Sequence, residues 1–175
     1  GVGLVGSEMC IRDRFGTDVK QEQDSIENFC EKIKVGINSK QTDEFMVIAR
    51  IESLILGKGI EDALLRGRSY ADSGANGVLI HSKDKSEELV FQFVDNFKKD
   101  FDVPVIVVPT TYNHITLDEF KKLGVDIVIY ANHLLRSAYP AMLNTAEEIL
   151  KFGRTQELEK KLMSVKEVIN FIPTD

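Results

Sequence analysis

Side chains able to do chemistry collect at four places in this 175-residue chain, each near the C-terminal end of an apolar run. Arg50 and Glu52 stand near the end of FMVIARIES (45–53), and His81 with Ser82 near the end of GVLIHSK (77–83). Thr110 and Thr111 end PVIVVPTT (104–111), and Asn132 and His133 end DIVIYANH (126–133). If the four runs are parallel strands closing towards a barrel, a guanidinium, an imidazole, hydroxyls and an amide meet at one active-site mouth. Each residue also has a plainer role. Arg50 and Glu52 are two apart, so strand alternation puts both on one face, where they can form a structural ion pair. His81 can be a satisfied core or rim histidine, Asn132 and His133 can cap the last strand, and Thr110 can satisfy backbone groups near the mouth. His114 lies in a polar loop and reads as solvated. The three histidines raise the question of a metal, but their spacing matches no metal motif, and no metal ligand is assigned in this stretch.

The intervening elements must position these groups. Asp24 and Glu27 have capping-box spacing ahead of Ile26, Phe29, Cys30 and Ile33, which recur on one helical face. Cys30 on that face reads as a small core residue, not a nucleophile. Gly57 and Gly59 break the first strand. A helix from about 60 to 73 then closes at Gly74, the residue type favoured just past a helix end. Ser86 is placed to cap a helix carrying Leu89, Val90, Phe93, Val94 and Phe97. Thr116 and Glu119 form a capping box before Leu117, Phe120 and Leu123, with Gly124 as the stop. A long helix is expected over 134–152, and a last one near Ser164, with Glu167 as its partner.

Apolar strands alternating with amphipathic helices at roughly 25–30-residue intervals mean βα units and a parallel sheet. A doubly wound sheet usually announces itself by a glycine-rich phosphate turn, and no G-x-G-x-x-G occurs here. A (β/α)8 barrel needs roughly 250 residues, and four units are half of one. The polar strand ends favour the barrel. The expected fold is therefore α/β, the C-terminal half of a (β/α)8 barrel with four parallel strands, plus C-terminal helices.

Composition narrows the class of function. Hydrophobic residues make up 43% and charged residues 29%, and the formal net charge of −6 offers no basic footprint for nucleic acid. No apolar run approaches the roughly 18–20 residues of a membrane span. Cys10 and Cys30 are too few for a disulfide framework. A cytoplasmic protein with neither nucleic-acid nor membrane partners is expected. Residues 1–14, GVGLVGSEMCIRDR, show no sustained periodicity and read as a non-native or disordered leader, leaving 15–175 as the partial barrel domain.

VIARIES followed by GKGIEDAL, then GVLIHSK, VVPTTY and VIYANHLLRSAYPAM, in that order, closely resemble the phosphoenolpyruvate mutase group of the isocitrate lyase superfamily. The resemblance covers essentially all of 15–175. It implies an isomerase that interconverts phosphoenolpyruvate and phosphonopyruvate and so creates a carbon–phosphorus bond in phosphonate biosynthesis. It further implies that Arg50 and His81 hold the migrating phosphoryl group as catalytic and substrate-binding residues, with Asn132 a further substrate-binding candidate. A guanidinium suits such a role because it donates two parallel hydrogen bonds and keeps its charge. The resemblance also implies Mg²⁺, and a homo-oligomer built by exchange of the last barrel helices, here 134–152.

Some of the family's pattern is missing. Its magnesium-binding carboxylates, its backbone donors to the substrate carboxylate and its gating loop all correspond to positions before Phe15. Lys58 stands where an aromatic is common, and Thr111 and Asn113 replace a frequent lysine and tyrosine. Phosphonopyruvate hydrolases share most of the pattern but tend to read GNH where this chain has Ala131-Asn132-His133, which favours the mutase. Hydrolysis of phosphonopyruvate is the alternative activity. A non-catalytic assembly remnant is the alternative of another class, and a carbon–carbon lyase is a further superfamily reading. The stretch in isolation is expected to be inactive.

Overall fold

The structure is a computed structural model and describes residues 22–171. It divides into two compact units, one running through Ala131 and the other beginning at Asn132.

In the first unit, helix α1 (Ile26–Asn38) leads into three strand–helix pairs and a final strand. In order these are β1 (Ile48–Ile51), α2 (Gly59–Asp72), β2 (Gly77–Ile80), α3 (Glu88–Phe97), β3 (Val105–Val107), α4 (Leu117–Leu123) and β4 (Ile127–Val128). The strands are rich in isoleucine and valine, whose branched side chains suit a pleated surface. They form one parallel sheet in the order β1-β2-β3-β4. One face of β1 and β2 presents Ala49, Ile51, Val78 and Ile80, all essentially buried with Val105 and Val107 against the helices. The helices contribute Ala63 and Leu64 from α2, Val90, Phe93, Val94 and Phe97 from α3, and Phe120 from α4. Gly67 lets α2 approach α3 closely, since a Cβ there would stand 3.0 Å from the Phe93 ring. Gly77 opens β2 for a similar reason. A Cβ there would meet Ile48 Cδ1 at 2.9 Å and the Pro104 carbonyl oxygen at 3.0 Å.

The helix starts show where local sequence is decisive. The Thr116/Glu119 box forms with both reciprocal bonds, and Gly124 ends α4 in the left-handed region at φ 98°. Ahead of α1, by contrast, the cap is Ser25, whose side chain accepts from Asn28 N–H, and not Asp24. Asp24 takes the Ser25 N–H, the Asn28 side-chain amide and the Lys32 ammonium. Its carboxylate is thereby occupied one position before the helix begins. At α3 the cap position is Glu87, not Ser86, although Ser86 Oγ still accepts from the Glu88 N–H at 3.3 Å. The strands are shorter than the apolar runs. Residues 45–47 and 52–53 lie outside β1, where turn bonds such as Leu56 N–H to Glu52 O replace the ladder.

The second unit consists of α5 (His133–Phe152), a turn-rich return, and α6 (Val165–Ile169). α5 contains Pro140, buries no residue and ends at Gly153 with φ 60°. The return places buried Leu158 beside a groove of about 540 Å³ that Met142, Thr145 and Ile149 also line. Lys161 ties the return to Glu148 of α5 at 2.7 Å. α6 starts in the expected Ser164/Glu167 box. The leader read over 1–14 lies outside the described residues.

Candidate active site

The register of the first two strands brings the site together. Arg50 pairs with Leu79, and Ile51 with Ile80, so Arg50, Glu52, Leu79 and His81 fall on the sheet face opposite Ile51 and Ile80. Both strands end at this level, leaving Glu52 and His81 just past the ladder with their side chains turned to the same side. The Arg50 Nε–H donates to Glu52 Oε1, and Nη2 lies 2.7 Å from His81 Nδ1. His81 Nδ1 is also 3.8 Å from Glu52 Oε1, too far for a hydrogen bond, so the arginine is its partner. The Arg50 and His81 side chains are about one-tenth exposed or less, and that of Glu52 about a quarter. A guanidinium has no acceptor. The contact therefore assigns Nδ1 as the acceptor and places the ring proton on Nε2.

Glu52 completes a charge-balanced cluster. Burial works against its ionisation, but the Arg50 guanidinium beside it helps to hold the carboxyl below the ordinary glutamate range. Such a cluster offers fixed N–H donors for an anion, with little reorganisation needed when charge moves.

A second polar network supports the end of β1. Ser53, fully buried, donates from Oγ to Asp62 Oδ2 at 2.6 Å and accepts from Gln23 Nε2 at 3.2 Å. Asp62 Oδ2 also receives Arg66 Nε–H at 3.1 Å. Arg66 Nη1 donates to the Asp24 carbonyl at 3.0 Å and to Tyr70 Oη at 2.9 Å. Residues 23 and 24 are thus bolted beside the residue that follows Glu52. The signal in the sequence was the i, i+4 pair Asp62/Arg66 on α2, which periodicity alone leaves as a surface salt bridge.

Of the other candidates, Thr111, not Thr110, makes the rim bond. Its Oγ1 donates to the Ser82 carbonyl at 3.4 Å, while Thr110 uses its backbone N–H on Val108 O at 2.8 Å. His114 is exposed as expected, but it meets Glu87 Oε2 at 3.1 Å. Cys30 is half-buried, with its thiol 3.5 Å from the Ser69 carbonyl. Asn132 and His133 open the second unit: Asn132 precedes α5 and its carbonyl accepts from Arg136 N–H, with no side-chain cap. Among the described residues no group of three or more His, Cys, Asp or Glu side chains could hold a metal ion.

The chain matches the sequence model of the family described as phosphoenolpyruvate phosphomutase over residues 2–150. It belongs to that family. A phosphoenolpyruvate phosphomutase of Tetrahymena pyriformis is 39% identical over 96% of this chain and 55% of its own length. A phosphonopyruvate hydrolase of Variovorax sp. (strain Pal2) is 38% identical over 87% of this chain and 52% of its own length. Among solved structures, a phosphoenolpyruvate phosphomutase from Streptomyces platensis subsp. rosaceus superposes with a TM-score of 0.83 at 40% identity, covering 89% of this chain and 53% of that one. A phosphonopyruvate hydrolase in complex with oxalate and Mg²⁺ gives 0.80 at 37%, covering 87% and 54%. The chain spans about half the length of the relatives it matches. The four parallel strands and their helices are thus those of a phosphoenolpyruvate mutase/isocitrate lyase superfamily barrel, in about half its extent.

Proposed function

We propose that this chain carries the phosphoryl-holding half of a phosphoenolpyruvate phosphomutase. The reaction breaks the phosphorus–oxygen bond of phosphoenolpyruvate and forms a phosphorus–carbon bond at its methylene carbon, an isomerisation with nothing gained or lost. Arg50 and His81 hold the phosphoryl oxygens during the move, and Asn132 contributes to substrate binding. The observation that carries this reading is the meeting of Arg50 Nη2 and His81 Nδ1 at 2.7 Å on adjacent strand ends, close enough for both side chains to serve one anion. In a loose phosphoryl-transfer transition state, positioning and electrostatic stabilisation supply most of the catalysis.

Magnesium belongs to the same proposal, although among the described residues no group of side chains makes its site. Assembly into a homo-oligomer through α5 is supported by the run of exposed apolar residues Leu134, Leu135, Tyr139, Met142 and Leu143. Among the described residues, no helix is long and apolar enough to cross a membrane. A cytoplasmic setting in phosphonate biosynthesis accords with the proposed reaction.

The hydrolase is the second reading, favoured by the 38% identity to the Variovorax enzyme. Phosphorus NMR of the intact protein with phosphonopyruvate and Mg²⁺ separates the two. Phosphoenolpyruvate as product supports the mutase, whereas inorganic phosphate with pyruvate supports the hydrolase. The absence of either product would reject both.

A further inference from the structure

We propose that Glu52 is a positioning residue: by holding Arg50 Nε it turns the guanidinium so that Nη2 engages His81 Nδ1, and thereby fixes the imidazole with its proton on Nε2. This deepens the proposed function and rests on it.

Three observations lead here. First, Arg50 has two different N–H edges committed to two different partners, Nε to Glu52 and Nη2 to His81. With the Nε edge held, rotation of the planar guanidinium about its last bonds would break the Glu52 contact. Secondly, Glu52 and His81 do not hydrogen-bond each other, at 3.8 Å. The hydrogen-bonded path from Glu52 to the ring therefore runs through Arg50. Thirdly, all three side chains are mostly buried at the ends of two paired strands, where alternative rotamers have little room.

The arrangement also explains why a carboxylate sits beside residues proposed to hold a phosphoryl group. By charge alone, Glu52 should weaken binding of a dianion. Its benefit lies in orientation, which is realised in the transition state more than in simple binding. Positioning therefore makes a prediction opposite to that of a charge effect. Removing the negative charge should leave ground-state binding unchanged or tighter, yet slow the chemical step.

The test uses the intact protein, with histidine labelled in ¹⁵N, as wild type, Glu52→Gln and Glu52→Asp. Ring nitrogen shifts of His81 should show the proton on Nε2 in the wild type, and a mixture of tautomers in Glu52→Gln. With phosphonopyruvate, kcat of Glu52→Gln should fall by about ten- to a hundredfold, with KM equal to or below that of the wild type. Glu52→Asp, which keeps the charge but shortens the reach, should also lose turnover. A folded Glu52→Gln protein with kcat within about twofold of wild type would overturn the proposal, as would a wild-type ring protonated on Nδ1. If Glu52→Gln fails to fold, the wild-type spectrum decides alone. An intact protein inactive on phosphonopyruvate would sink the functional reading, while the ring spectrum would still judge the geometry.

Discussion

Arg50 is held by Glu52 and His81 among its partners and carries a charge that no pH in the physiological range removes. Lysine would keep the charge and lose the fork, so Arg50→Lys in the intact protein should behave much like Arg50→Ala. Both, and His81→Ala, should lower turnover of phosphonopyruvate at least about a hundredfold, the scale of losing one preorganised donor. Steady-state kinetics followed by phosphorus NMR would read this directly. Glu52 makes a separate prediction about stability. Its carboxyl titrates below the ordinary glutamate value when folded, so the unfolded chain takes up this proton first. The stabilisation is complete above the unfolded pKa and is lost as pH falls through the lowered folded value. Acid unfolding monitored by circular dichroism should therefore lose part of its pH dependence below about pH 4.5 in Glu52→Gln. A wild-type and variant curve of the same shape would contradict the contact.

At the scale of elements, the sequence was most informative where a motif is local. The Thr116/Glu119 and Ser164/Glu167 boxes and the Gly124 stop formed as spaced, because all their bonds close within one turn. It was less informative where neighbours compete. Asp24 was drawn into bonds with Asn28 and Lys32, and Ser25 took the cap. Apolar runs overstated the strands because hydrophobicity marks burial, while the ladder ends where turn bonds take over, as at Glu52. The pairing of Arg50 with Glu52 was legible from alternation, but the contact with His81 depends on register between strands 31 residues apart. Gly77 was not singled out, although it is tightly constrained. Its missing Cβ accommodates Ile48, Pro104 and Ile106, and the backbone carbonyl among them cannot rotate away. Gly77→Ala should lower unfolding stability by about 1–3 kcal/mol, the range for overpacking a filled site, measured by urea titration. An unchanged midpoint would show that β2 has slack.

The described residues present surfaces that a full barrel would cover. Within the described residues, the sheet has β1 and β4 as its outer strands. Large apolar side chains on β4 and just after it, Ile127, Ile129 and Tyr130, are substantially exposed. Unpaired edges and apolar patches of this kind promote association. Residues 15–175 produced without the rest of the protein should therefore self-associate or precipitate, and should show no turnover with or without Mg²⁺. Sedimentation velocity gives the decisive reading, and a soluble monomer with one cooperative unfolding transition would contradict it.

The strand order repeats the chain order, β1-β2-β3-β4. Each strand as it leaves the ribosome thus finds its neighbour already in place, separated only by one helical crossover, and no pairing among these four waits for a distant segment. Synthesis can therefore lay down this part of the wall one stave at a time.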